Sequence, residues 1–343
     1  MHHPPKILLI QTAFLGDVIL ATAAIESILI ELPQAEIHFL LRKGNESVLQ
    51  NHPKLKKVWV YDKRRKLADS WRLVQAFRKE RFDFVFNFHR FFSSGIITVL
   101  SNAGFTAGFT KNPLSGLFSK MVEHTLTFPL KMNGKYLHEI ERNHQVVETW
   151  RKFNLAKPKL YPSDSDREKV RDWKGKRFIT MAPGSVWPTK RLPIVKWVEL
   201  IEKFPGEYEI VLLGSPTEKE LCEEIYNLTK KRGGVHNLAG SLSILQSAVL
   251  QSYAENNYVN DSGPLHMASA MDAAVTAFFL STVPEFGFGP LSSQSNIIQV
   301  KENLECRPCG IHGFKACPKQ HFRCAFNIQL DSELSKITEN LTY

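Results

Sequence analysis

The stretch Lys6-Ile-Leu-Leu-Ile-Gln-Thr-Ala-Phe-Leu-Gly-Asp-Val18 sets a pattern that the rest of the chain repeats. Its first five residues form an apolar run of strand length, Gln11 to Gly16 form a loop, and residues 18–32 have helical length and composition. Pro33 ends that helix, and residues 36–41 return to a strand pattern. Strands that alternate with helices indicate βαβ units around a parallel sheet.

The same alternation is predicted along the whole chain. Further strands are expected at residues 58–61, 82–88, 178–182, 209–213, 257–260 and 274–280, and further helices at 68–79, 194–204, 218–230 and 265–271. The polar segment 156–166 contains two prolines and is typical of a connection between domains. We therefore predict an α/β protein of two doubly wound domains, residues 1–160 and 161–343.

Composition supports a globular protein of this kind. Of 343 residues, 43% are hydrophobic and 23% are charged, which excludes a disordered or fibrous chain. The longest apolar candidate for a membrane span, residues 84–100, is interrupted by Asn87, His89 and Arg90. Five cysteines and the lack of a signal-peptide pattern favour a cytoplasmic protein.

Charge is divided unevenly between the two halves. Residues 1–160 carry 24 basic and 13 acidic side chains, whereas residues 161–343 carry 20 basic and 21 acidic ones. Such an excess points to an anionic partner for the first half: a nucleic acid, an anionic membrane surface or a phosphorylated substrate. A basic but otherwise ordinary surface would produce the same count.

The first turn that could carry chemistry is Gly16-Asp17, between the first strand and its helix. Ligands of open α/β sheets bind at the carboxyl ends of strands. We expect Asp17 to lie at or near the helix N-cap, where N–H groups and the helix dipole favour its ionised form, and an ionised carboxylate can accept a proton from an attacking hydroxyl. The alternative is that Asp17 only caps the helix.

The second turn, Ala182 to Arg191, follows a strand of the other domain. Small residues, the hydroxyl of Ser185 and the adjacent cations Lys190 and Arg191 could cradle a phosphate, although the spacing differs from a Walker loop. An ordinary basic loop is the alternative.

The third turn, Asn260-Asp-Ser-Gly-Pro-Leu-His266, also follows a strand. Asp261 or Ser262 can cap the next helix, whose first N–H groups, near Gly263, would bind a phosphate. His266 falls in the first turns of that helix, either within reach of the same anion or as a structural histidine. No G-x-G-x-x-G follows the first strand, which disfavours a nicotinamide or flavin enzyme.

With Leu212-Leu-Gly-Ser-Pro216, Asn237-Leu-Ala-Gly240 and a cysteine-bearing tail, these turns resemble glycosyltransferase family nine over nearly the whole chain. That family contains the ADP-heptose:lipopolysaccharide heptosyltransferases, here most similar to the inner-core heptosyltransferase II type. The resemblance implies a GT-B fold, in which two Rossmann-like domains face each other across a cleft. It also implies an inverting transfer of heptose from ADP-heptose to an inner-core lipopolysaccharide acceptor. The alternative is a family member that uses a different nucleotide sugar or glycan acceptor.

The resemblance also assigns roles. It implies that the N-terminal domain binds the acceptor, with Asp17 as general base, and that the C-terminal domain binds the nucleotide sugar, with Lys190 stabilising the departing ADP. Residues expected to form the rest of the donor site are Gly16, Ser185, Arg191, Glu218 for the ribose, Leu242 for the adenine, Asp261, Ser262, Gly263 and His266. No metal is required if cations and helix dipoles neutralise the diphosphate.

The implied partner is an anionic lipopolysaccharide precursor. The cluster Lys63-Arg-Arg-Lys66 could steer this anion or hold the enzyme at the inner face of the cytoplasmic membrane. Nucleic acid is not expected, because no recognition module is present. We expect a monomer.

The tail contains Cys306, Cys309, Cys317 and Cys324, with His312 and His321 between them. This spacing could bind zinc, but we interpret the cysteines as plain thiols, with no cofactor.

Overall fold

The computed structural model describes residues 3–124 and 136–330. The chain divides into two compact units, Met1–Tyr161 and Pro162–Tyr343. Each unit contains one six-stranded parallel sheet. This confirms the predicted α/β class with two doubly wound sheets.

The described part of the N-terminal unit alternates strands and helices. Its strands are β1 (Lys6–Ile10), β2 (Glu36–Arg42), β3 (Leu55–Tyr61), β4 (Phe84–Asn87), β5 (Phe105–Phe109) and β6 (Lys120–Val122). Its helices are α1 (Leu15–Glu31), α2 (Lys66–Glu80), α3 (Phe92–Leu100) and α4 (Glu139–Glu148).

The described part of the C-terminal unit repeats this plan. Its strands are β7 (Phe178–Ala182), β8 (Glu209–Leu212), β9 (Val235–Asn237), β10 (Asn256–Asn260), β11 (Val275–Phe279) and β12 (Ser295–Gln299). Its helices are α5 (Asp164–Lys169), α6 (Ile194–Lys203), α7 (Lys219–Thr229), α8 (Ile244–Tyr253), α9 (Gly263–Ala270) and α10 (Arg323–Phe326).

Both sheets have the same strand order. The first runs β3-β2-β1-β4-β5-β6 and the second β12-β11-β10-β7-β8-β9. In each, the order reverses between the first and fourth strands of the unit, so β1 lies beside β4 and β7 lies beside β10. Ligands of doubly wound sheets bind outside the carboxyl ends of the strands at such a switch point. The loops that follow these four strands are therefore the candidate sites.

Helix α1 is buried along most of its length, and α4 packs against it. It begins where Asp17 accepts a hydrogen bond from the Phe14 N–H, and it ends at Glu31, shortly before Pro33. The segment predicted as a connection between domains packs against the same helix. The Lys159 N–H donates to Thr22 Oγ1 at 2.9 Å, and the Tyr161 hydroxyl donates to Glu26 at 3.0 Å. Its first half is thus part of the N-terminal unit.

The apolar run at residues 84–100 is not one element. It divides into the buried strand β4, a polar loop and the short helix α3. Among the described residues, no helix has the length and apolar character needed to cross a bilayer.

Candidate active site

In the C-terminal unit, Asn260 holds the loop that follows β7. Its Nδ2 donates to the Pro183 carbonyl at 2.8 Å, and its Oδ1 accepts from the Leu192 N–H at 3.0 Å. Arg191 Nε donates to the Ser185 carbonyl at 2.6 Å, so this cation closes the loop on itself. The predicted phosphate loop is therefore fixed at both ends by one buried amide.

Lys190 does not project freely from this loop. Its Nζ lies 2.5 Å from Asp261 Oδ2, and both side chains are largely buried, at 14% and 8% exposure. The Thr282 hydroxyl donates to the same carboxylate oxygen at 2.7 Å. The structure thus joins two of the predicted donor residues into one pair. Asp261 holds the ammonium group in place at the start of α9, where an anion would meet it.

Helix α9 begins as the sequence predicts, with Ser262 as its N-cap and Gly263 and Pro264 in its first turn. The Ser262 side chain makes no capping bond, and its hydroxyl donates to the Asn260 carbonyl at 3.3 Å. The first N–H groups are thus not capped by this side chain. His266 is buried, at 4% exposure, and packs edge-on against Phe288. Its proposed contact with an anion stays a prediction.

Glu218 lies against the phosphate loop. Its carboxylate accepts hydrogen bonds from the N–H and the hydroxyl of Ser215, both at 2.8 Å. A Cβ at Gly184 would lie in severe overlap with Glu218 Oε1, so the glycine allows this close approach. Leu242 is partly buried and packs against the hydrophobic cluster that contains Val211 and Leu213. Neither arrangement tests the predicted contacts with ribose and adenine.

The cysteine-bearing tail supports the Lys190 loop. The Thr189 N–H and hydroxyl both donate to the Phe314 carbonyl, at 3.2 and 3.1 Å, and the Phe314 N–H donates to Thr189 Oγ1 at 2.7 Å. Gly313 has φ +79°, and a Cβ there would lie 2.8 Å from Thr189 Oγ1 and 3.2 Å from Lys190 Cγ. The tail is therefore packed against the loop that carries Lys190, which the spacing of its cysteines in the sequence did not indicate.

The four tail cysteines are all free thiols. His321 Nδ1 accepts the Arg323 N–H at 3.1 Å, and its Nε2 lies 3.8 Å from Cys306 Sγ. Within the described ranges, the only three metal-ligating atoms found within 4.8 Å of one another belong to Glu36, His38 and Glu80. Burial, together with the nearby Cys306 and Cys317, raises the pKa of Cys309, and burial with the other three tail cysteines raises that of Cys324 to about 12. The four thiols therefore lie near one another, and their interpretation as plain thiols without a metal stays a prediction.

In the N-terminal unit, Asp17 is the third residue of α1 rather than its N-cap, which is Phe14. Asp17 Oδ2 accepts the Phe14 N–H at 3.1 Å. Burial raises the pKa of Asp17 to about 6, and the charge of Glu139 acts in the same direction, whereas the Phe14 N–H and Arg90 oppose the shift. The expectation that the helix start favours the ionised form is therefore wrong in net effect, because burial and Glu139 outweigh the backbone.

Glu139 begins α4 and is the buried acid beside Asp17. Arg142 Nε donates to Glu139 Oε2 at 2.8 Å, and His124 Nε2 lies 3.5 Å from the same atom. Burial alone would raise the pKa of Glu139, but Arg142 and His124 outweigh it and hold the pKa at about 2. Glu139 therefore stays ionised and makes Asp17 more basic than an ordinary carboxylate.

Cations surround this carboxylate pair. Burial lowers the pKa of Lys63, and the neighbouring Arg42 and Lys66 lower it further, whereas Asp17 opposes the change. His89 follows β4, and its Nδ1 lies 3.0 Å from Thr12 Oγ1, which follows β1. Burial, with Lys63 and Arg90, lowers the pKa of His89 to about 3, so this imidazole is neutral at physiological pH. An anionic ligand would meet an excess of positive charge here.

Sequence reasoning missed several of these residues. They are Thr12, His89, Arg90, His124, Glu139 and Arg142 in the N-terminal unit, and Thr189, Asn260, Thr282 and Gly313 in the C-terminal unit. A signal existed for two of them: His89 and Arg90 interrupt the apolar run at residues 84–100. Thr12, Thr189 and Asn260 lie within the three turns themselves, and the remaining residues belong to elements far away in sequence.

The chain matches a known family over most of its length. Residues 70–313 match the model of glycosyltransferase family 9, described as heptosyltransferase. The chain belongs to glycosyltransferase family 9. As a member of this family it is a glycosyltransferase.

Relatives of this family 9 chain include lipopolysaccharide heptosyltransferase 2 of Escherichia coli. The two sequences are 24% identical, and the match covers 86% of this chain and 88% of the relative. Lipopolysaccharide heptosyltransferase 1 of Campylobacter coli is 26% identical over 81% of this chain and 84% of the relative. The solved structure of ADP-heptose lipopolysaccharide heptosyltransferase II of E. coli has a TM-score of 0.75 at 20% identity, covering 97% and 99% of the two chains. This match confirms the GT-B fold.

Proposed function

We propose that this family 9 enzyme transfers heptose from ADP-heptose to an inner-core lipopolysaccharide acceptor, with inversion at the anomeric carbon and Asp17 as general base. The family description and the relatives named as heptosyltransferases support the donor and acceptor class. The observation that carries the role of Asp17 is its position at the carboxyl end of β1, with a pKa of about 6 and cations around it.

In the proposed reaction, Asp17 takes the proton of the acceptor hydroxyl while that oxygen attacks the anomeric carbon. The carboxylate is oriented by the Phe14 N–H, which donates to Oδ2. A base with a pKa of about 6 is mostly ionised at neutral pH, yet it binds a proton more strongly than an ordinary aspartate. A single displacement on the face opposite the leaving ADP inverts the configuration.

On the donor side, Lys190 and the first N–H groups of α9 neutralise the diphosphate, with the hydroxyl of Ser185 as a further donor. Asp261 completes this side of the site by holding Lys190 in place. Arg191 positions the loop through the Ser185 carbonyl. Contacts of Glu218 with the ribose and of Leu242 with the adenine belong to the same proposal. This arrangement needs no metal ion, because fixed positive charge meets the diphosphate.

The acceptor of this proposal is a phosphate-bearing and acidic sugar chain on a lipid. The cations Arg42, Lys63 and Arg90 would hold its anionic groups near Asp17. The enzyme would bind such an acceptor at the inner face of the cytoplasmic membrane, and it would act as a monomer.

The test is ADP release from ADP-heptose with a deacylated inner-core acceptor, for the wild type, Asp17→Asn and Lys190→Met. We expect acceptor-dependent release that falls at least about a hundredfold in Asp17→Asn, with donor affinity retained. Lys190→Met should instead lose donor affinity as well as rate. NMR of the product linkage reports whether the configuration is inverted.

The identity of the sugar is tested in the same assay by competition with other nucleotide sugars. If another nucleotide sugar binds better and ADP-heptose releases no ADP, the enzyme is a family member with a different donor. If Asp17→Asn keeps the full rate, Asp17 is not the base.

A further inference from the structure

Helix α2 opens with an unusual combination of charge and exposed apolar side chains. Four consecutive cations, Lys63 to Lys66, lead into the helix. Leu67 in its first turn is 87% exposed, and Trp71, four residues later, is 56% exposed. Residues four apart share one helix face, so both apolar side chains project to the same side. Large apolar groups this exposed, in a cluster, mark an interaction surface.

The cations do not serve the helix itself. A helix N-terminus carries partial positive charge, so four cations at this end disfavour the helix. Two carboxylates offset the repulsion locally: Asp62 accepts the Arg64 N–H at 3.0 Å, and Asp69 accepts the Asp62 N–H at 2.7 Å. Within the described residues, none of these four cations forms a salt bridge with an acidic side chain. All four side chains are exposed, so their charge is available to an anionic surface, and Lys63 also lies near enough to Asp17 to interact with its charge.

A second pair of exposed apolar side chains, both aromatic, belongs to the neighbouring helix. Phe91 and Phe92, at the start of α3, are 64% and 54% exposed. Helix α3 packs against α2. The loops that lead into both helices leave the carboxyl ends of parallel strands, the edge where Asp17 also lies. Lys63–Lys66, Leu67, Trp71, Phe91 and Phe92 are called here the basic-apolar face.

We propose that the basic-apolar face docks on an anionic lipid bilayer and so brings the Asp17 edge to a lipid-linked acceptor; this rests on the proposed function. The charge is complementary to an anionic leaflet, and tryptophan and phenylalanine beside lysine and arginine are typical of surfaces that enter the headgroup region. A second copy of the chain would meet the same four cations with its own. A bilayer satisfies both the apolar and the cationic side chains.

The test is co-sedimentation of the whole protein with vesicles of phosphatidylcholine alone or with added phosphatidylglycerol. We expect binding to the anionic vesicles only, and release as salt concentration rises. Leu67→Ser/Trp71→Ser should bind at least about tenfold more weakly. The matched control is Ile30→Ser/Leu228→Ser, which removes side chains that are 62% and 56% exposed elsewhere and should bind as the wild type does.

Measurements of the turnover rate distinguish membrane docking from the catalytic step. The Leu67/Trp71 variant should keep its rate on a deacylated acceptor and lose rate on the same acceptor presented in vesicles. Vesicle binding is measured without any sugar donor. The docking result can therefore be interpreted even if the proposed heptosyl transfer proves wrong. The inference is overturned if the protein does not bind anionic vesicles, or if the control variant loses binding to the same extent. It is also overturned if sedimentation shows a dimer of the wild type that the Leu67/Trp71 substitutions convert to a monomer.

Discussion

At the residue scale, the carboxylate pair of the N-terminal unit shows how one acid can tune another. Glu139 is held ionised by Arg142 and His124, so its charge adds to burial in making Asp17 harder to ionise. Two neighbouring acids thus receive opposite pKa shifts, to about 2 for Glu139 and about 6 for Asp17. Such separation is typical of sites that need one permanent charge and one proton acceptor.

This shift predicts that Asp17→Asn stabilises the protein at neutral pH. The folded-state pKa of about 6 lies above the ordinary value of 3.8, so ionising Asp17 destabilises the fold above pH 6, and the effect vanishes below about pH 4. Asparagine removes the charge and can still accept the Phe14 N–H. We expect a gain on the order of 1–3 kcal/mol in unfolding free energy at pH 7.5.

Thermal or urea unfolding from pH 4 to pH 8 measures this gain. The exposed Asp172→Asn serves as control and should change little, since Asp172 is 88% exposed. A stability difference that is independent of pH would contradict the assignment.

The same ionisation predicts the pH dependence of catalysis. A general base must be deprotonated, so kcat/KM should fall tenfold per pH unit below an apparent pKa near 6. Initial rates at low acceptor concentration, in buffers of constant ionic strength, give the profile. If kcat/KM instead falls only below about pH 4, the base is an ordinary, solvated carboxylate.

At the element scale, the phosphate loop depends on two neighbours that lie far away in sequence. Asn260 fixes its ends from β10, and Thr189 is held by the backbone of the cysteine-bearing tail. The tail therefore acts as a support for Lys190.

Gly313→Ala should weaken donor binding. A Cβ at this position would lie 2.8 Å from Thr189 Oγ1 and 3.2 Å from Lys190 Cγ, so the loop that carries Lys190 must shift. Gly310→Ala is a matched control, because Gly310 has a similar φ of +66° but its Cβ would meet only Phe314, at 3.6 Å. We expect about tenfold weaker ADP binding for Gly313→Ala by calorimetry, and a smaller loss for Gly310→Ala. Equal losses in both would assign the effect to backbone strain alone.

For the tail cysteines we predict plain thiols. Treatment of the purified protein with a strong chelator should leave its melting temperature and donor affinity unchanged, and metal analysis should find no stoichiometric zinc or iron. One equivalent of metal, with loss of stability on its removal, would contradict this prediction and show that the tail closes around an ion.

At the scale of the whole molecule, the uneven charge has a measurable consequence. Residues 1–160 hold all of the net positive charge, which includes the exposed cations that precede α2. We expect the KM for an anionic acceptor to rise steeply with salt concentration, because exposed charges are screened, whereas the affinity for the donor, bound by the largely buried Lys190, should change less. Kinetics at several salt concentrations would show it; parallel changes for both substrates would contradict it.

The sequence by itself determined the alternating α/β fold and the positions of the three turns, whose chemistry stays a prediction. Each of these is local: a buried strand, a turn and a helix with its cap lie within about twenty residues, so periodicity and residue type are sufficient. Two elements of the N-terminal unit were harder to predict. Helix α3 was hidden within an apolar run, and β6 is only three residues long.

Only the tertiary structure decided which turns meet. The strand order places β1 beside β4 and β7 beside β10, which brings His89 to Thr12 and Asp261 to Lys190, across about seventy residues or more of sequence. Burial of Asp17, together with the charge of Glu139 that the packing of α4 brings near it, reverses the pKa shift expected from the helix start alone. Local pattern carries no information about such distant neighbours, and burial and charge act through distance in space rather than in sequence.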